Sequence, residues 1–411
     1  MVGKATLFVV AGFSLIFLVV EYNMGNVSTR AVQNFTEYYL ENYSREIAVS
    51  GINLAANEIF INSSWRAGFT NYDFKENGKE GKLTVKVVES DTNNNHLKIT
   101  SIGEYQGVKD TVEVKLVPSS FSKFAYYSES EGSNIWWTSN DTVFGPFHTQ
   151  DKMRIMGTPT FYGKVTNKNG IEKKDAGSNA NFLGGYQTGV DLSIPWDGML
   201  KLGVEAGKAG KTITGKDTVY MTFAVDSIKI KYSFNGAETS YLASSYAPNG
   251  VIVVVDGILR VKGKVKGKYT IASSKIFKGG DVYLDDDIIY NTNPRTNPGS
   301  KDMLGICASR DIVIANNKAN VVDNDINIDA ALFAQGGSFR AQNHDAIPIC
   351  GNINLYGGIV NKSRGGVGTR YSDGTKKSGF YKYYMYDERL LLDFPPAFPN
   401  TGGFEIVSWY E

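Results

Sequence analysis

An apolar run from Ala5 to Val20 carries no charge and passes without a break signal into a polar helical stretch ending near Phe60; no other feature constrains the chain as much. At about 1.5 Å per helical residue the run falls slightly short of a bilayer core of about 30 Å, so its flanks must snorkel or sit in the interface. A secretory signal peptide has an apolar core of similar length. Against that alternative, Glu21-Tyr22-Asn23-Met24-Gly25 offers no small-x-small cleavage site, and no cysteine lies nearby for lipidation. The expectation is a retained anchor over residues 1–22 that meets the lipid bilayer through residues 5–20. Lys4 precedes the run and only Arg30 follows it closely, which favours a cytoplasmic start and an exported remainder in the cell envelope.

Beyond the anchor the pattern stays helical. Val27, Ala31, Phe35, Tyr39, Tyr43 and Ile47 recur at i+4 steps, and Ile52, Ala55 and Ile59 continue the stripe, so one face is apolar along most of the segment. No proline interrupts it. A continuous helix from Ala5 to Phe60 would be roughly 80 Å long, and a bend near Gly25 is the alternative.

An N-terminal glycine, a short uncharged apolar helix, and an amphipathic extension ending in Ala48-Val49-Ser50-Gly51-Ile52-Asn53-Leu54-Ala55-Ala56-Asn57-Glu58 ahead of a small β region resemble type IV pilus assembly proteins of the PilX type. The segments Asp141–Asp151, Gly157–Val165, Tyr384–Leu390 and Phe394–Pro399 add to the resemblance. It implies a bacterial envelope protein that works with pilin-like or secretion-assembly subunits and has no known enzyme activity. One departure matters. Gly3 is followed by Lys4, and the position that holds a glutamate in major pilins is Phe8 here, which puts ordinary incorporation into a pilus shaft in doubt.

Composition agrees with an exported, mainly β body. In 411 residues there are 44 Gly and 24 Tyr but only 11 Pro, which favours turns and strands over helices. A formal net charge of +1 removes the electrostatic argument for a nucleic-acid partner. Leu83–Val87, His96–Ile102 and Thr111–Val117 alternate apolar and polar residues and predict a small antiparallel sheet packed on the helix. Pro118 marks a boundary. Residues 119–248 read as a β-rich region with a polar insertion. After Gly250 the texture changes: Val251–Val255 is a continuous apolar run, as in a strand buried on both faces, and brief apolar strands with Asn or Gly corners follow. Such runs predict an irregular parallel β-solenoid over residues 249–372, with a β-sandwich as the alternative, and a capping segment over 373–411. The expected division is thus 1–22, 23–118, 119–248, 249–372 and 373–411.

The search for chemistry yields little. Ala206–Thr212 ends like a phosphate-binding loop, but Glu205 stands where the first glycine is required, so a lysine-rich loop is expected. None of His96, His148 and His344 has a partner at metal-ligand spacing. Asp285-Asp286-Asp287 offers hard oxygen ligands at a coil corner, yet reads more simply as a solvated turn. No catalytic residue, metal or cofactor is assigned. Cys307 and Cys350 are candidate disulfide partners, since an exported chain with two cysteines sits in an oxidising space. Trp136, Trp137, Tyr383, Tyr384 and Tyr386 are candidates for an aromatic surface that binds surface glycans or a protein partner, with packing in sheets as the competing use. The function expected is that of a non-catalytic structural or adhesive envelope protein. A polysaccharide-active solenoid enzyme is the alternative, to be recognised by two carboxylates facing a sugar-sized cleft.

Overall fold

A computed structural model describes residues 2–76, 78–91, 96–133, 135–139, 141–322, 325–371 and 375–410. The chain forms two compact units, residues 1–117 with 404–411, and residues 118–403.

The first unit is a helix on a sheet. Helix α1 (Val2–Ile61) runs unbroken past Gly25 as one helix, and at about 1.5 Å per residue its 60 residues extend about 90 Å. Its two parts behave differently. From Gly3 to Tyr38 nearly every side chain is exposed, whereas Tyr43, Ile47, Ala48, Ile52, Ala55 and Ile59 are buried. They pack on the antiparallel strands β1 (Phe69–Glu76), β2 (Lys79–Asp91), β3 (His96–Tyr105) and β4 (Val108–Ser120). Strand alternation explains which residues meet the helix: Leu83, Val85 and Val87 of β2, Leu97 and Ile99 of β3, and Val112, Val114 and Leu116 of β4 share the inner face. Gln106 and Gly107, both at positive φ, close the β3–β4 hairpin in two residues. Gly103 lets the helix sit down on β3, because a Cβ there would lie 2.1 Å from the Ser44 carbonyl oxygen. A C-terminal strand, Asn400–Tyr410, joins the sheet beside β4. The second unit is therefore an insertion between two neighbouring strands of the first unit's sheet.

That second unit is a stack of coils joined by parallel ladders. One register column follows the stack from coil to coil: Ile252, Ile271, Ile306, Leu332, Ile359, Tyr126, Phe147, Val165, Tyr186. The order is not the order of the sequence. The chain enters the stack at Tyr126, builds coils through Thr188, crosses the outside as helix α2 (Gly198–Ala209), and restarts at the opposite end with Lys211–Ile213. It then advances coil by coil until Ile349–Ser363 pairs with Tyr126–Ser130, its own first strand.

The wall that holds this column is buried on both sides. Ile252, Ile271, Ile306, Leu332 and Ile359 face the interior of the stack, while Val253, Ala272, Cys307, Phe333, Val360 and Tyr127 face outward beneath Met199 and Leu202 of α2 and Phe398. That is why Val251–Val255 reads as continuous apolar sequence. Two sequence expectations change here. Ala206-Gly207-Lys208 is not loop but falls in the final turns of α2. Cys307 and Cys350 are both buried, and no disulfide joins them. Cys307 lies on the outer side of the wall with Ala272 and Phe333 as register mates, and Cys350 belongs to the interior, so their side chains occupy different cores.

Candidate functional site

Three faces make up each coil, and at one level only the first of them is continuous. Ile359 bonds to Tyr126 there. On the third face the strand Lys376–Met385 pairs with Asn352–Tyr356 below, and Thr142–Val143 pairs with Thr160–Phe161 above. Among the described residues no ladder joins those two strands to each other. The seam between the last coil and the first therefore opens into a small cleft of about 80 Å³.

The strand alternation of the sequence places the cleft's side chains. Phe380, Lys382 and Tyr384 share the inward side of their strand. Below them, in register, the column runs Ile326, Ile353, Lys382 and, beside it, Ile328, Leu355, Tyr384. An aliphatic core column thus terminates in an amine and a phenol. Opposite stand Asp141, Val143 and Phe144, with Trp137 and Arg364 at the second face.

Arg364 and Glu131 form the wall of the cleft. Arg364 Nη1 donates to Glu131 Oε2 at 3.1 Å, and its guanidinium lies 4.0 Å from the centroid of the Trp137 ring. Trp137 Nε1 donates to the same carboxylate at 2.9 Å, and Ser128 Oγ donates to its other oxygen. Glu131 is fully buried, so its charge depends on these donors.

Lys382 has no such partner: among the described residues it makes no ion pair or hydrogen bond, although solvent reaches it through the cleft. Enclosure by the walls, then the nearby Arg364 charge, lowers its ammonium to about 8. Asp141 acts in the opposite sense but is engaged elsewhere, its Oδ2 accepting from the Thr138 backbone N–H at 2.7 Å and from Thr138 Oγ1 at 3.1 Å. Tyr126 is buried at the cleft wall beside Asn361, and its hydroxyl makes no hydrogen bond of ordinary geometry among the described residues. Burial also raises the Tyr384 hydroxyl above its ordinary value. Asp141 is the one carboxylate among the described residues lining the cleft; Glu131 lies behind it in the Arg364 pair.

The predicted aromatic surface is divided by this geometry. Trp137, Tyr384 and Tyr386 line the cleft. Tyr383 points to the other side of the same strand and is 55% exposed, and half-buried Trp136 lies elsewhere under the Lys174 ammonium. Sequence reasoning missed Lys382, Arg364 and Asp141; the available signal was a lysine between Phe380 and Tyr384 on the apolar side of an alternating strand. The other candidates hold the scaffold. His148 Nδ1 shares a 2.7 Å hydrogen bond with Thr166. Asp285 pairs with Arg260, and Asp287 accepts from the Asn327 backbone and amide, so both are spent inside a strand instead of an acidic corner. Among the described residues no three His, Cys, Asp or Glu side chains gather as a metal site.

Residues 69–169, which span the first unit's sheet and the first coils of the second, match a family described as a domain of unknown function (DUF4900). No curated protein sequence matches the chain. Among solved structures it is similar to the competence-associated pilin ComZ from Thermus thermophilus, at 14% identity and a TM-score of 0.40, over 90% of this chain and 96% of that one. A likeness this distant decides neither fold nor function.

Proposed function

We propose that this chain is a non-catalytic structural protein of the cell envelope, held in the membrane by residues 5–20 and displaying its coil stack outside as an adhesive or partner-binding module. The observation that carries the reading is the unequal use of helix α1. Only the part from Tyr43 onward is used by its own sheet, while Leu7, Phe8, Phe13, Phe17, Val27 and Phe35 are left exposed. An apolar stretch of this extent needs lipid or other helices around it. Its most apolar 18-residue window has a mean hydropathy of 2.1 and is wholly unburied. A long helix half free and half packed on a small antiparallel sheet also fits the resemblance to type IV pilus assembly proteins, and the partners are then pilin-like or secretion-assembly subunits. Lys4 and Phe8 favour an accessory place in such an assembly over a place in its shaft.

The test compares the intact chain with one lacking residues 1–22 in a bacterium that makes type IV pili. The intact protein is expected in the membrane fraction after a high-salt wash and crosslinked to pilin-like subunits; the shortened one is expected in the soluble fraction with its β signature unchanged. A shortened protein that still pellets with membranes, or an intact one that crosslinks to no envelope subunit, overturns the proposal.

A further inference from the structure

We propose that the open end of the coil stack is a self-association surface, on which a second copy of this chain seats the same end about a twofold axis and pairs its edge strands with these. The inference stands independently of the envelope reading. The last coil of the first run consists of Ile171–Lys173 on the second face, Asn181–Phe182 on the third and Tyr186–Thr188 on the first. Each is bonded to the coil before it, at Met153–Ile155, Thr160–Phe161 and Val165–Asn167, and among the described residues none has a strand on its other side. Their register mates Met153, Phe161 and Val165 are wholly buried, whereas Ile171 and Phe182 are half-buried and Tyr186 is 37% exposed. A Cβ at Gly185 or Gly189, on either side of Tyr186–Thr188, would meet nothing within 4 Å. The opposite end of the stack is closed by the chain itself: Ser227–Lys231 turns back antiparallel on Tyr220–Ala224, and Ile228, Ile230, Ala243 and Ala247 seal the interior.

The phase of the hydrogen bonds shows which backbone groups are unspent. Val165 N–H donates to the Gly185 carbonyl, so in the alternation of a parallel ladder Gln187 turns its N–H and C=O toward Val165–Asn167, and Tyr186 and Thr188 turn theirs to the open side. Met153 N–H donates to the Gly170 carbonyl, and the same alternation leaves the backbone groups of Ile171 and Lys173 pointing outward. A single extended peptide could fill one of these edges; another three-faced coil meets all three at once, and this chain carries one. A twofold axis across the stack reverses strand direction, so the new ladders are antiparallel. With the axis through the middle of the first face, Tyr186 exchanges both its bonds with Thr188 of the second copy, Gln187 meets Gln187 as the close non-hydrogen-bonded pair, and the second face lies over the third. Charge does not oppose this. The end coil carries Glu172, Lys173, Lys174 and Asp175, two of each sign, so neither copy presents a net charge to the other. Lys173, on the inward side of its strand above Ile155, comes over Asn181–Phe182 of the second copy and not over its own counterpart.

The test uses the intact protein in detergent. The facing ends are small, so the dimer is expected at about 100 µM protein, with its dissociation on dilution followed by sedimentation equilibrium. Gln187→Glu places two carboxylates across the axis and should weaken the dimer roughly tenfold or more. The circular dichroism should stay unchanged, because the Gln187 side chain is exposed. Gln187→Cys should form an interchain disulfide under mild oxidant, because Cα atoms of such a pair lie about 4.5 Å apart, within the span of a disulfide. Thr239→Cys, exposed at the opposite end, should not. The amides of Tyr186 and Thr188 should exchange slowly in the dimer and fast in the Gln187→Glu protein. Three outcomes overturn the proposal: the intact chain is monomeric at that concentration; Gln187→Glu associates as well as the parent, which would place the contact on helix α1 or elsewhere; or the two cysteine variants crosslink to the same extent.

Discussion

Arg364 and Glu131 lie 233 residues apart in the chain and 3.1 Å apart in the fold, where they join the last coil of the stack to the first. Next to them the Arg364 backbone N–H bonds to the Ser130 carbonyl at 2.9 Å, and Lys362 pairs with Glu129. The two runs of coils are thus joined at an internal junction by residues far apart in the sequence. The Arg364 side chain is 6% exposed and the Glu131 side chain 0%, so the pair is held away from solvent.

Removing one partner should cost more than removing both. Arg364→Met leaves Glu131 buried with its charge uncompensated, and a loss of about 3–5 kcal/mol is expected in urea unfolding. Adding Glu131→Gln should recover a large part of that loss. A single variant as stable as the parent would mean that the seam is not held by this pair.

Acid should loosen the first coils through His148. Burial holds its imidazole neutral and lowers it from 6.5 to about 4. The unfolded chain therefore takes up a proton that the folded chain refuses between those values, and stability falls as pH drops through that window before levelling off below about 4. The contribution is at most about 3 kcal/mol. It is read as the difference between unfolding curves of the parent and His148→Gln at pH 7, 6, 5 and 4; parallel curves would exclude it.

Helix α1 should not tolerate a side chain at Gly103. A Cβ there would sit 2.1 Å from the Ser44 carbonyl oxygen and 2.5 Å from the Ala48 nitrogen, both helix backbone. Gly103→Ala is expected to destabilise the first unit by about 1–3 kcal/mol or more through overpacking. Gly25→Ala is the control: nothing lies within 4 Å of it, and a helix interior gains up to about 1 kcal/mol from the change.

The two thiols should be unreactive in the folded protein and free once it unfolds. Burial alone pushes the Cys307 thiol well above its ordinary range, which removes the reactive thiolate. Alkylation without reductant should add nothing at Cys307 under native conditions and label both cysteines in denaturant. Protein whose thiols remain blocked in denaturant would restore the bridge expected from sequence.

What was legible in the chain was whatever repeats locally. The i+4 stripe from Tyr43 to Ile59, the alternation of Leu83–Val87 and Thr111–Val117, and the apolar run Val251–Val255 each follow from the geometry of one element, and each element forms as its pattern requires. Even Lys382 is marked as an oddity by alternation with Phe380 and Tyr384. The order of the coils is another matter. Nothing within Tyr126–Ser130 says that it will sit on Ile359–Ser363, because a parallel ladder is made by backbone groups common to every residue, and its partners are chosen by the shape of the whole stack. The same holds for the cysteines, which spacing allowed to meet but which the wall separates into two cores. The cleft exists because two runs of coils, built from opposite ends of the insertion, share one face and fail to pair on another; local sequence determined every strand around it, and only the tertiary register decided that a seam would be left open between them.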